Sequence, residues 1–212
     1  MNETKKNLNL TRKLALTGAF SALVIVLGIT KLGFITIGAA ASITILHVPV
    51  ILICMISGLP EGLFVGAAFG ILSLIQAAMS PSSVLDPMFV NPLCSVLPRM
   101  LIAFVAWGLW KLLNLIPHLP KAVSAGVTGF ITTIAHTMLV IGCIYIFKGA
   151  DVRAAVGGLS YFGFIGLVLG NAIFEAIAAT VICAAVYAGL YIAGNRKSKL
   201  SGVSSQETDK NI

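Results

Sequence analysis

The stretch Asp86-Pro-Met-Phe-Val-Asn91-Pro-Leu-Cys-Ser-Val-Leu-Pro98-Arg99-Met-Leu-Ile-Ala-Phe-Val-Ala-Trp107 decides how the chain is read. Asp-Pro and Asn-Pro form turns that lead into a long apolar run, and Arg99 sits well inside it. A guanidinium keeps its proton in proteins, so Arg99 carries its charge wherever the chain puts it. Inside a membrane span such a charge costs several kcal/mol unless it is paired or wetted. An internal acid, a water-filled cavity or a bound anion must therefore compensate Arg99.

Working outward, apolar runs of this kind recur along the whole chain. Of 212 residues, 58% are hydrophobic and 10% charged, with a mean hydropathy of +1.01. Soluble domains carry about 25% charged residues. The composition implies an all-α integral membrane protein, because a span in lipid must satisfy its own backbone. Residues 1–10 read as a mobile cytoplasmic N-terminus, 11–193 as a six-span bundle and 194–212 as a polar cytoplasmic tail. The first apolar run lacks a small-residue cleavage site and reads as a retained span, not a signal peptide. Cys54, Cys94, Cys143 and Cys183 lie in apolar runs without paired spacing, which points to buried thiols and no metal.

The spans are expected over about 11–30, 45–56, 62–78, 91–115, 121–147 and 161–193. The second is short for a crossing of about 20 residues, so tilt or extension into the preceding connector must complete it. The connectors 31–44 and 79–90 are apolar or turn-rich, and both read as lids at the outer end. Pro98 is expected to kink the fourth span beside Arg99. Lys5, Lys6, Arg12, Lys13, Lys111, Lys121, Arg196, Lys197, Lys199 and Lys210 fall on the side of the termini. Lys31, Lys148 and Arg153 fall on the other, so the termini are placed in the cytoplasm. That distribution explains the formal charge of +7, and no aromatic-basic nucleic-acid motif is present.

Two kinds of pattern carry functional expectations. Asn91, Ser95 and Arg99 recur at every fourth residue on the fourth span, as do Thr128, Thr132 and His136 on the fifth. Asn171 and Glu175 are one turn apart on the sixth. These stripes suggest a pocket open to the outside. Glu175 pairing with Arg99 as a plain internal salt bridge is the competing reading, and His136 bonding only a backbone carbonyl is another. His47, near an outer helix end, reads as interfacial, as do Tyr161 and Phe34. The second pattern is small residues four apart. Ala15/Ala19 and Gly18/Ala22 on the first span form a close-approach face, for a partner or for internal packing. Gly62, Gly66 and Gly70 form another on the third. Gly58, Leu59, Phe64, Gly66 and Gly70 recur a hundred residues later as Gly158, Leu159, Phe164, Gly166 and Gly170.

Absences narrow the function. No G-x-x-x-x-G-K-[ST] phosphate loop is present, so ATP hydrolysis is not expected of this chain. No H-E-x-x-H zinc helix or G-x-S-x-G elbow is present, and no enzyme activity is expected.

The chain resembles the substrate-binding S components of energy-coupling factor (ECF) transporters, over Thr11 to Ala193. The resemblance rests on the six short-looped spans and the small-residue face of the first. It rests further on Leu46-His47-Val-Pro49-Val-Ile, Gly62-Leu-Phe-Val-Gly66, Asn91-Pro-Leu, Val96-Leu-Pro98-Arg99-Met-Leu and Asn171-Ala-Ile-Phe-Glu175-Ala. Within the family it is most similar to pantothenate-type members. The resemblance implies a bacterial plasma-membrane protein that captures a vitamin from outside. Import would be driven by a transmembrane coupling subunit and two cytoplasmic ATPases, so ATP is used by the partners and no cofactor by this chain. The coupling subunit would dock on the Ala15/Ala19 or Gly18/Ala22 face. Pantothenate is the first expectation, and riboflavin, folate or a pyridoxine-like compound are alternatives. Two other classes stay open, a stand-alone proton-coupled transporter using Glu175 and His136 and an intramembrane enzyme.

Overall fold

The computed structural model describes residues 2–30, 32–37, 41–81, 85–155 and 157–210. Helix α1 (Asn2–Ile29) leads into a hairpin of β1 (Phe34–Ile37) and β2 (Ala41–Thr44). There follow α2 (Val48–Ile56), α3 (Leu59–Met79), the single turn α4 (Asp86–Phe89), α5 (Pro92–Leu113), α6 (Lys121–Ala155) and α7 (Tyr161–Lys210). Among the described residues, five helices are long and apolar enough to cross a membrane.

The short helix α2 takes the sixth place in the bundle but is not a full crossing. Its 9 residues span roughly 13 Å. The expected helical extension into the preceding connector is not used. The preceding connector pairs with itself, Phe34 with Thr44 and Ile37 with Ala41, so its backbone polar groups are satisfied as a hairpin. Helix α2 is then enclosed by protein, with Val48 to Met55 all buried.

Contacts along the helices fix their directions. Lys13 Nζ, midway along α1, donates to Glu61 at the start of α3 at 2.9 Å, and Gln76 Nε2 near the end of α3 donates to the Gly28 carbonyl near the end of α1 at 2.7 Å. These two helices therefore run in the same direction. Helix α5 is antiparallel to α3, because Gly70 faces Val96 while Gly66 faces Arg99 and Gly62 faces Ala103. Trp110 near the end of α5 meets Tyr187 on α7 at 4.8 Å between ring centroids. The spanning part of α7 thus descends toward the end from which α1 rises.

Along the middle of α7 small side chains face the bundle and large ones face outward. On α7 the buried positions include Ala172, Ala176, Ala179 and Cys183, whereas Phe162, Phe174, Ile177 and Val181 are exposed. Lipid tails are as apolar as leucine, so large residues gain nothing by turning inward and small ones permit close helix contact. The connectors are more ordered than expected. Helix α6 breaks at Lys148, with φ −137° and ψ 28°, and then resumes to Ala155 through a stretch read as loop. The connector 79–90 contains α4, started by Pro87 in its first turn. Parts of both expected lids, at 31, 38–40 and 82–84, lie outside the described residues. So does the side chain of Phe34.

Candidate functional site

Arg99 is 6% exposed, and a backbone defect beside it helps to fix its side chain. Pro98 has no N–H, so the Cys94 carbonyl four residues earlier loses its helical partner. Arg99 Nη1 donates to that carbonyl at 3.1 Å. Helix α5 continues through Pro98 as one helix. Nη2 donates to Ser73 Oγ of α3 at 3.3 Å. The guanidinium carbon lies 5.5 Å from the Phe69 ring centroid and 4.9 Å from that of Phe89. Such ring faces are worth about 0.5–2 kcal/mol each to a cation. They and the two hydrogen bonds solvate the charge without neutralising it. Arg99 Nε, buried, has no partner.

The imidazoles of His47 and His136 stand beside this group, with ring centroids 5.2 Å apart, and His136 also faces Phe69 at 6.1 Å. Arg99 is within electrostatic reach of both. His47 Nε2 meets Thr133 Oγ1 at 2.9 Å, and Thr133 Oγ1 donates to the Gly129 carbonyl at 2.8 Å. The threonine proton is thereby committed, which lets Thr133 Oγ1 accept from His47 Nε2. His47 Nδ1, Thr132 Oγ1 and His136 Nε2 are all buried without partners. Buried polar atoms are normally satisfied. Four unsatisfied ones on neighbouring elements, Arg99 Nε among them, form a set that can bond a polar ligand.

The roof of this cluster comes from the connectors. Phe89 belongs to α4, whose Met88 packs with Cys94, Ile144 and Val152. Strand β2 is tied to α7 where the Thr44 N–H donates to Glu175 Oε1 at 2.7 Å. Asn171 Nδ2 donates to the same oxygen at 3.3 Å.

These positions revise several expectations. Glu175 does not pair with Arg99. It holds the hairpin, and among the described residues the only ion pairs are Lys13–Glu61 and Lys148–Asp151. His47 is not interfacial but completely buried. The shortness of α2 was the available signal, because a half-length helix places its first residues deep in the bundle. Ser95 donates to the Gly70 carbonyl at 3.0 Å and serves the α3–α5 seam. Asn91 caps α5 by accepting from the Leu93 N–H at 3.0 Å. Thr128 bonds back to the Ser124 carbonyl. Tyr161 donates to the Met138 carbonyl at 3.3 Å. Of the residues read from the stripes, Arg99, Thr132 and His136 retain unpartnered atoms. Phe69, Ser73, Phe89 and Thr133 join them without having been singled out, so α3 and the approach to α2 contribute as well as α5 and α6.

The face of α1 is unambiguous. Ala15, Gly18, Ala19 and Ala22 are all exposed, and Thr17, Ser21 and Val24 turn inward instead. Internal packing does not use this face.

Comparison with known proteins gives the family. The family model for the ECF transporter substrate-specific component matches residues 12–191. The chain is 31% identical over 191 residues to a protein of Leuconostoc mesenteroides subsp. mesenteroides named pantothenate transporter PanT, covering 84% of this chain and 91% of that one. It is 27% identical over 166 residues to the pantothenic acid transporter PanT of Lactococcus lactis subsp. cremoris, covering 72% and 79%. A match over most of the chain, carried by a helical bundle with a polar cluster under its connectors, places this protein in the substrate-specific component family of ECF transporters.

Proposed function

We propose that this subunit captures pantothenate from outside the cell and delivers it to an ECF module for ATP-driven import. The observation that carries the reading is Arg99, a buried cation with no carboxylate partner among the described residues. Pantothenate supplies a carboxylate, and a guanidinium can fork onto one with charge-assisted bonds. Its amide and hydroxyls suit the unpartnered atoms of His47, Thr132 and His136. Two relatives named as pantothenate transporters support the same ligand. Helix α4 and the hairpin act as covers, with Glu175 holding the hairpin in register over the site. The exposed face of α1 receives the coupling subunit, and the ATPases supply the energy that a chain without a phosphate loop lacks. The termini are cytoplasmic, because Lys13, Lys111 and Lys121 share their end of the bundle while Lys148 and Arg153 lie at the other.

The test is calorimetric titration of Arg99→Lys with pantothenate, after its folding has been checked. Lysine keeps the charge but loses the planar fork. Losing a buried charged contact costs about 2–5 kcal/mol, a loss of affinity of about thirty- to several-thousand-fold. Binding within a few-fold of the parent would remove Arg99 from the ligand. Tighter binding of riboflavin, folate or pyridoxine by the parent protein would reassign the vitamin.

A further inference from the structure

At the end of the bundle opposite the proposed vitamin site, the turn between α5 and α6 lines, with Tyr187 of α7, an open cleft of about 330 Å³. It is lined by Trp110, Lys111, Asn114, Lys121 and Tyr187, among others. The two cations have no carboxylate partner among the described residues. Lys111 Nζ lies 4.0 Å over the Trp107 ring, and Lys121 Nζ donates to Asn114 Oδ1. Asn114 is itself fixed, since its Nδ2 donates to the Trp110 carbonyl at 2.6 Å. Trp110 and Tyr187 stand together at 4.8 Å. Paired lysines beside a tryptophan and a tyrosine, at the edge of the apolar part of the bundle, match the headgroup level of a bilayer.

A second groove, of about 320 Å³, lies along the α6–α7 seam and is lined by Ala122, Val123, Gly126, Val127, Thr180 and Ala184. Its lining residues adjoin those of the first in sequence on both α6 and α7. Ala122 follows Lys121 directly on α6, and Ala184 lies three residues before Tyr187 on α7, within one turn. Because α6 runs away from this end, the groove lies further into the apolar part of the bundle than the cationic cleft. A free anion would use the lysines and leave the groove unused. A phospholipid uses both.

We propose that the cleft and groove together form a binding site for one anionic phospholipid, its phosphate between Lys111 and Lys121 and one acyl chain along the α6–α7 seam. Anionic headgroups favour basic pockets between spanning helices. The site shares no residue with the vitamin cluster, so it stands independently of the pantothenate assignment.

The test uses the full chain carrying Trp107→Phe, which leaves Trp110 as the only tryptophan. The protein is placed in phosphatidylcholine vesicles containing either brominated phosphatidylglycerol or brominated phosphatidylcholine, and Trp110 quenching is followed. Brominated phosphatidylglycerol is expected to quench more strongly at equal mole fraction. Adding Lys111→Gln and Lys121→Gln should lower that selectivity by about fivefold per lysine. Val123→Phe, which fills the groove at an exposed position, should weaken quenching by the chain while the lysines remain. Unfolding curves of each variant establish that it is folded. Equal quenching by the two lipids would overturn the proposal, as would unchanged selectivity in the lysine variant. Reversal of the selectivity by millimolar inorganic phosphate would assign the cleft to a free anion. Loss of uptake with lipid selectivity intact would assign it to a partner subunit. Either result overturns the lipid.

Discussion

On α3, a Cβ built at Gly66 would lie 2.5 Å from the carbonyl oxygen of Arg99, and one at Gly70 would lie 2.5 Å from the Cα of Val96. On α1, a Cβ built at Gly18 would meet nothing within 4 Å. Both helices carry small residues four apart, and both stripes offer a backbone that another helix can approach closely. The α3 stripe is filled by α5, and the fit places Ser73 and Phe69 against Arg99. The α1 stripe is left open. A small-residue stripe therefore marks where a helix is to come close, and the rest of the fold decides whether that helix belongs to the same chain.

The sharpest way to break this contrast is Gly66→Val. The atom in its way belongs to backbone and cannot swing aside, so α3 and α5 must separate and carry Arg99 with them. The cost should be about 3 kcal/mol or more, at the upper end for overpacking. Thermal unfolding in detergent should show it, together with loss of pantothenate binding. If Gly66→Val unfolds like the parent, the α3–α5 contact is looser than described.

A pair of bulky residues on α1 should do the reverse. Ala15→Trp with Ala19→Trp should abolish uptake in cells that hold the full transporter, and leave unfolding and calorimetric binding by the isolated subunit unchanged. Normal uptake would show that this face meets only lipid. Repeating the measurement with Gly18→Trp and Ala22→Trp sharpens the comparison, because both pairs are exposed and the more damaging one gives the register of the partner helix.

The smallest effects are expected on α7. Gly58 and Gly158 both precede a helix with positive φ, 121° and 81°, so the recurring sequence keeps its turns. Its stripes diverge, because a Cβ at Gly166 or Gly170 meets nothing within 4 Å. Gly166→Ala should raise stability by about 0.5–1 kcal/mol through helix propensity alone. A destabilising result would mean that α7 packs against a helix at that turn.

Legibility differed by residue in the same way. Arg99 stood out because a charge in an apolar run has few explanations, and Thr132 and His136 followed from their spacing on α6. Glu175 was legible as an interior acid, but its partner is the Thr44 N–H across 131 positions of sequence, which no local pattern encodes. Asn91 and Ser95 share the spacing of Arg99, yet one caps its helix and the other bonds a facing carbonyl. Phe69 and Phe89 carry no distinguishing signal, since an aromatic in a membrane chain faces lipid as readily as a ligand.

The sequence by itself determined the membrane class, the alternating course of the long helices, the place of Arg99 inside an apolar run and the family. Lipid forces the backbone into helices, and a helix converts residue number into depth at about 1.5 Å per residue. Only the tertiary structure decided how each helix is rotated and which helix it meets. It put α2 inside protein, turned His47 to His136, gave Glu175 to the hairpin and, among the described residues, left Arg99 without an acid. The reason is the solvent. In water, apolar periodicity marks the buried face of a helix, but in lipid both faces are apolar and that signal is lost.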